Sequence, residues 1–325
     1  MTKPARLPGA ALAEDLVQPF QVDRGDVRGR LVRLSASIDQ ILASHAYPEP
    51  VANLLGELLV VAAATAGAFK FHGSLSLQTS SDGPVPLMIA EYRAQPEESR
   101  GAMPGRARLR GYARCDAGKV AEALAAASPS ASVMETVLGK GSLAFNVESG
   151  PSAEHYQGII AIVGPTIVES VHDYFRRSEQ IDAALRVDVG RAPNGQWQAG
   201  GVLLQRMPRP GLAERSDDDW RRALALVGSS GRADFLNPGL DPRGMLQRMF
   251  PEDDVRVFDP VSVEAQCRCS RDRVDSVLRS FPPEEIAEMV VDGEITVTCE
   301  FCNHRYLFLP QDLGLPKQLG LNETH

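Results

Sequence analysis

Two short cysteine pairs decide how this chain is read. They are Cys267-Arg268-Cys269-Ser270 and, with 29 residues between Cys269 and Cys299, the stretch Ile295-Thr296-Val297-Thr298-Cys299-Glu300-Phe301-Cys302-Asn303-His304-Arg305-Tyr306-Leu307-Phe308-Leu309. The second stretch reads as a strand, a tight turn carrying C-x-x-C, and a second strand. Zn²⁺ takes four thiolates tetrahedrally at about 2.3 Å, and two short pairs brought together by a fold supply that number. The C-x-C half is less usual for a purely structural zinc site, because thiolates two residues apart crowd each other. An iron–sulfur cluster and cysteines unrelated to any metal stand as the competing readings. Buried structural cysteines are expected among apolar neighbours. These are flanked by Arg268, Ser270, Arg271, Glu300, Asn303 and His304, which favours accessible, ionised thiols. His304 could ligate, but four cysteines already complete the shell, so a surface or supporting position suits it better. Cys115 stands alone at the end of a strand-like run and reads as an incidental or buried thiol.

The segment 261–325 has few large apolar residues, and a region of that size seldom holds a fold by its core alone. Structural zinc contributes on the order of 10–16 kcal/mol, comparable to the roughly 5–15 kcal/mol stability of a whole domain. Oxidising even two ligands is therefore expected to unfold this region. Cα atoms two residues apart lie at roughly 5.5–7 Å, partly overlapping the range a disulfide accepts, so a Cys267–Cys269 bond could close with some strain. A strained bond is readily reduced again. The same residues could hold metal when reduced and form a local disulfide when oxidised, which is the logic of a reversible sensor.

Upstream, residues 210–260 are punctuated by Gly or Pro at ten positions and by the acidic runs 217–219 and 252–254. This reads as a linker with modest helices. One helix is expected to start in the aspartate run, where negative charge suits a helix N-terminus, and to present Trp220, Ala223, Leu224 and Val227 on one face. Further apolar residues there are Leu236, Met245, Leu246, Met249 and Phe250. Exposed together, such residues would form a protein-binding surface.

The preceding 210 or so residues read as one α+β domain with a mainly antiparallel sheet. Helical spacing marks residues 35–44 and 48–69. Residues 74–79 and 85–92 flank Asp82-Gly83 as a hairpin, and further strand-like runs are 106–114, 143–148, 156–163, 185–189 and 202–207. Residues 167–180 form a helix among them. The alanine-rich stretch 117–131 is a short helix or a surface loop.

The bulk properties narrow the function. With 325 residues, 43% of them hydrophobic, the chain can bury a sizeable core and hold more than one domain. A net charge of −8 and a pI near 5.4 offer no basic field for nucleic acid, and residues 261–325 carry 6 Lys and Arg against 11 Asp and Glu. No glycine-rich phosphate loop with Lys and Ser/Thr is present, so ATP is not expected. His45, His72, His155 and His172 are scattered, and no nucleophile–base pair suggests an enzyme. Five cysteines, four of them within 36 residues, point to a reducing compartment and a metal or redox site. No signal peptide is expected in residues 1–14. The apolar stretch 50–69 is about as long as a membrane span but carries Asn53, Gly56, Glu57 and Gly67, so it reads as a buried helix. A thiol–disulfide oxidoreductase would want its C-x-x-C at a helix start, and a nucleic-acid-binding zinc ribbon would want the opposite charge.

The chain resembles the redox-regulated thirty-three-kilodalton heat-shock chaperone family. The resemblance rests on Cys267-Arg268-Cys269-Ser270 with Arg273, on Asp292-Gly293-Glu294-Ile295, and on Cys299-Glu300-Phe301-Cys302-Asn303 with Tyr306. It extends to Gly29, Tyr47-Pro48, Glu57-Leu58-Leu59, Lys70-Phe71, Gly73, Asp82-Gly83-Pro84 and Tyr156-Gln157-Gly158, and to DYFRRSEQ at 173–180 and AGGVLLQRMP at 199–208. About residues 20–308 are covered. The alanine-rich stretch 121–131 and the Gly/Pro-richer linker depart from the family pattern. The resemblance implies an α+β fold, a metastable helical linker and a small C-terminal zinc domain. Its expected divisions are a disordered tail at 1–19, a core domain at 20–209, the linker at 210–260, the zinc-binding switch domain at 261–312 and a tail at 313–325. It also implies a cytoplasmic, ATP-independent holdase that binds unfolded client proteins. One Zn²⁺ per chain is held by Cys267, Cys269, Cys299 and Cys302 in the inactive reduced form. Oxidation is implied to form the disulfides Cys267–Cys269 and Cys299–Cys302, release zinc, unfold the linker around Trp220, Leu224, Leu236, Met245, Met249 and Phe250, and yield an active homodimer. No membrane, nucleic acid or ATP is expected as a partner.

Overall fold

The computed structural model describes residues 15–23, 26–67, 73–95, 105–148, 155–179, 181–207, 213–237 and 239–314. The expectations for residues 1–14, for Lys70-Phe71 and His72, and for residues 315–325 fall outside them. The chain divides into two compact units between Ala265 and Gln266.

The first unit is mixed α and β. Its elements begin with strands β1 (Leu16–Val22) and β2 (Val27–Leu34) and helices α1 (Ala36–Ala43) and α2 (Glu49–Ala66). Strands β3 (Ser74–Ser81), β4 (Leu87–Ala94) and β5 (Arg106–Arg114) follow, then helices α3 (Ala117–Ala126) and α4 (Val133–Leu138). Next come β6 (Gly141–Glu148), β7 (His155–Ala161), α5 (Ile167–Tyr174) with a π turn beyond it, β8 (Ala183–Arg191) and β9 (Trp197–Arg206). Three helices, α6 (Ala213–Ser229), α7 (Arg232–Phe235) and α8 (Pro242–Met249), lead to the short strands β10 (Val255–Val257) and β11 (Val261–Ala265).

The strands form one sheet in the order β7-β6-β3-β4-β5-β11-β1-β2-β9-β8, with β10 also on β1. Every described pairing is antiparallel except β11 with β5. Asp82-Gly83 makes the expected turn between β3 and β4, with the Gly83 N–H donating to the Leu138 carbonyl. Helix α2 is the one described helix long and apolar enough to cross a membrane, and it is a core element here, 78% buried.

Strand alternation sends apolar side chains to two cores. In β9, Trp197, Ala199 and Leu203 join the core built around α1 and α2, whereas Val202 and Leu204 face the other side. This two-sided burial explains the unbroken apolar run of that strand. On the second side, Phe20, Val22, Val27, Leu31, Val202 and Leu204 meet Trp220, Ala223, Val227, Phe235, Met245, Leu246, Met249 and Phe250 from the α6–α8 segment. Leu224 and Leu236 pack half-buried against the same cluster. Gly29 faces Phe20 across β1 and β2, and a Cβ there would lie 2.0 Å from the Phe20 ring.

Three expectations need correction. Residues 15–19 are not a disordered tail: Leu16–Pro19 lie in β1, and the Asp15 carboxylate accepts the Ser35 and Ser37 N–H groups at 2.7 and 3.1 Å, capping α1. Helix α6 starts at Ala213, so the aspartate run lies inside it, where Asp218 pairs with Arg221. Residues 261–265 are not part of the cysteine-bearing unit. As β11 they complete the large sheet, because small and β-branched residues fill the gap between β1 and β5.

The second unit contains α9 (Arg271–Leu278), α10 (Pro283–Glu288), β12 (Ile295–Thr298) and β13 (Arg305–Phe308), the two strands pairing antiparallel. Asp292 and Gly293, at φ +51° and +82°, turn the chain between the bridged residues Val291 and Glu294. The core is small: Leu278, Ile286, Ile295, Phe308 and Leu313 are its buried members. Leu313, expected at the start of a tail, is therefore anchored.

Candidate metal centre

The register of β12 on β13 pairs Thr298 with Arg305, which leaves 299–304 as the connecting loop. The Cys299 N–H donates to the His304 carbonyl at 2.9 Å, and the Asn303 N–H returns to the Cys299 carbonyl at 2.8 Å. Asn303 sits at φ +56°, a conformation its short polar side chain tolerates, and this closes the loop. The C-x-C segment runs directly into α9. Ser270 caps that helix by accepting the Arg273 N–H at 3.2 Å, and Arg273 Nη1 donates to the Arg268 carbonyl at 2.8 Å. Arg271 Nη1 donates to the Leu307 carbonyl at 2.7 Å, and its guanidinium lies over the Phe308 ring. Helix α9 is thereby stitched to β13, bringing the first cysteine pair beside the second.

The result is a cage of sulfur. Cys267 Sγ lies 3.6 Å from Cys299 Sγ, Cys269 Sγ lies 3.4 Å from Cys302 Sγ, and all four atoms fall within 4.8 Å of one another. Thiolates at about 2.3 Å from a tetrahedral metal are about 3.8 Å apart, so the spacing fits such an ion. The four residues are half-buried. Burial first, and then the other three thiols, pushes the Cys302 pKa up, with hydrogen bonding to the His304 backbone acting against both. Four thiolates this close repel one another, and a dication is the species that relieves the repulsion. Tyr306 donates its phenol O–H to Cys269 Sγ at 3.2 Å.

Among the described residues, the groups close enough to hold a metal together are those four thiols. The His304 ring instead packs edge-on against Tyr306 at 4.5 Å. Cys115 belongs to the first unit, half-buried against its core, and burial and then Asp116 push its thiol pKa up. His172 accepts the Leu185 N–H through Nε2 at 2.8 Å, a structural role. Sequence reasoning read Arg271 only as a charged flank of the thiols and Tyr306 only as part of the resemblance, and foresaw neither contact. The available signals were the position of Arg271 directly after the capping serine and that of Tyr306 on the strand leaving the C-x-x-C loop.

Comparison with known proteins agrees with this arrangement. A family described as "Hsp33 protein" matches residues 15–309. The 33 kDa chaperonin of Caulobacter vibrioides is 39% identical over 308 residues, covering 93% of this chain and 97% of that protein. The 33 kDa chaperonin of Pseudomonas syringae pv. syringae is 37% identical over 306 residues, covering 92% of each. Among solved structures, the 33 kDa chaperonin (heat shock protein 33 homolog) of Thermotoga maritima superposes with a TM-score of 0.73 at 20% identity, covering 93% of this chain and 97% of that one.

Proposed function

The chain belongs to the Hsp33 chaperone family, and on that premise we propose that it is a redox-regulated, ATP-independent holdase of the cytoplasm rather than an enzyme. The observation that carries this reading is a pair of sequestered features in one chain. Four thiols converge within 4.8 Å on a unit with five buried apolar residues among those described, while a linker keeps Trp220, Met245, Met249 and Phe250 buried against the sheet.

In the reduced state Cys267, Cys269, Cys299 and Cys302 would hold one Zn²⁺ per chain. Bound there, zinc would offset the thiolate charge and supply much of the binding energy that the small core lacks. Peroxide oxidises the thiolates pairwise: each pair gives up two electrons and forms one S–S bond, and one peroxide takes up those electrons with two protons from solvent and leaves as two waters, while the zinc is released. We assign the bonds to Cys267–Cys269 and Cys299–Cys302. The shortest contacts in the folded unit cross between the pairs, but they depend on the fold. Partners two or three residues apart stay together when the fold opens, because their loop-closure cost is small. Without its metal the switch unit, which we place at 266–313, would unfold, and the linker at about 210–260 would loosen with it. Trp220, Leu224, Leu236, Met245, Met249 and Phe250 would then face solvent and bind unfolded clients, in an activated homodimer. Binding alone slows self-association of the client by mass action.

Elemental analysis of reduced protein and thiol mapping after peroxide test this reading. We expect one zinc per chain, and disulfides within each short pair. Iron in the reduced protein, or zinc retained in full by a Cys267→Ser and Cys269→Ser variant, would overturn the ligand assignment.

A further inference from the structure

Strand β11 is the one described strand that joins the two halves of the large sheet, β7-β6-β3-β4-β5 and β1-β2-β9-β8. It pairs parallel with β5 from Ser262↔Arg106 to Ala265↔Leu109, and antiparallel with β1 at Leu16↔Ser262 and Val17↔Val261. It is held lightly. Of its five residues only Val263 is buried; Val261 and Ala265 are half-buried, and Ser262 and Glu264 are exposed. Its last residue is separated from Cys267 by Gln266 alone, so loss of the sulfur cage frees the chain immediately beyond it.

Withdrawal of β11 would leave two backbone edges facing each other across a gap of roughly 10 Å, twice the spacing of paired strands. Unpaired edges are templates for another extended chain, and a slot open on both sides satisfies both rows of N–H and C=O groups of one occupant. Such a site selects unfolded over folded polypeptide, because a folded chain has no free strand to offer. We propose that the slot between β5 and β1, filled here by β11, is where an extended segment of an unfolded client pairs once β11 has left. This rests on the chaperone reading above and assigns it a site besides the linker's apolar face.

The lining sets the preference. The positions of Val261, Val263 and Ala265 turn toward the core and accept small aliphatic side chains. On the open side, exposed Arg106 and Arg108 stand opposite Ser262 and Glu264, and Arg108 Nε lies 3.7 Å from Glu264 Oε1. The favoured segment therefore alternates small aliphatic residues with polar ones and carries an acidic residue facing Arg108.

The test uses the full-length protein, a fluorescein-labelled peptide of residues 258–266, and reduced carboxymethylated α-lactalbumin as a permanently unfolded client. The oxidised protein binds the peptide, the reduced protein does not, a scrambled peptide fails, and the lactalbumin displaces the bound peptide. Arg108→Glu weakens peptide binding about two- to fivefold, the range of an exposed ion pair, and a peptide carrying Glu264→Lys restores it. If the oxidised protein binds the lactalbumin but not the peptide, or binds both without competition, the slot proposal is overturned and the chaperone reading stands. If it binds neither, the chaperone reading falls and takes the slot with it. If the peptide dissociates an oxidised dimer without displacing lactalbumin, a second copy's strand fills the slot and the proposal is equally overturned.

Discussion

The phenol of Tyr306 donates a hydrogen bond to the sulfur of Cys269 across 3.2 Å, joining β13 to the C-x-C segment through the cage itself. That bond, more than burial, pushes the Tyr306 pKa up from its ordinary value. Groups that hydrogen-bond metal ligands orient them, and their loss typically weakens metal affinity about 10–100-fold. Tyr306→Phe is expected to lower zinc affinity by about tenfold and to speed peroxide oxidation of Cys269, since a thiolate without a donor is the better nucleophile. Competition with a zinc-responsive dye and timed alkylation measure the two effects. Unchanged values for both would show that the bond does not tune the site.

The five buried apolar residues of the second unit predict what metal removal does. A chelator under reducing conditions should abolish hydrogen-exchange protection across β12, β13 and α9 while leaving α2 and β9 protected. Protection retained throughout would mean that the small core suffices without a metal.

The linker has an internal polar clamp that joins α6 to the turn after α8. Arg222 Nη1 donates to both oxygens of Asp253, at 2.7 and 2.5 Å, and the Asp253 side chain is fully buried. Arg222→Ala leaves that carboxylate buried and unmatched, at a cost of about 1–3 kcal/mol. The variant should expose Trp220 at lower temperature than the parent and show partial activity while still reduced. A red shift of Trp220 emission and faster hydrogen exchange across 217–250 report it; neither changing would remove the linker from the switch.

Glu57 supplies a pH dependence. Its Oε1 accepts the Val168 N–H at 3.0 Å at the start of α5, and desolvation by burial pushes its pKa from 4.5 up to about 7 despite the backbone donors. A carboxyl whose pKa is raised by folding binds more protons folded than unfolded between those two values. Its contribution is therefore fully present below about 4.5 and lost as pH rises toward about 7. Glu57→Gln keeps an acceptor without the charge. The variant should match the parent in thermal stability near pH 4.5 and exceed it by roughly 1–3 kcal/mol at pH 8. A stability difference that does not vary with pH would contradict the assignment.

The cysteine pairs, the Asp82-Gly83 hairpin and strands such as β5 were legible because the responsible signals are local: ligand spacing, turn chemistry and period-two alternation. Strands β1 and β2 were not read, since Pro19 and the charged residues 23–30 interrupt the alternation, and the burial of Phe20, Val22, Val27 and Leu31 is supplied by helices more than 180 residues away. β11 was misplaced for a related reason. Nothing in Val261-Ser262-Val263-Glu264-Ala265 indicates that its neighbours are β5 and β1, whose pairing residues lie over 150 positions upstream. At the site, the four sulfurs were named from spacing, while the Arg271 and Tyr306 contacts that place them depend on a hairpin register that sequence does not encode locally.

Oxidation, not nucleotide, is the switch proposed to turn the protein on. It is tested by light scattering of a thermally unfolding client enzyme mixed at near-equimolar ratio with reduced, zinc-loaded protein or with peroxide-treated protein, both without ATP. Only the oxidised form is expected to suppress aggregation, and reducing agent with zinc to reverse it. Equal protection by the reduced, zinc-loaded form at moderate temperature would contradict the redox switch and leave the four cysteines a purely structural role.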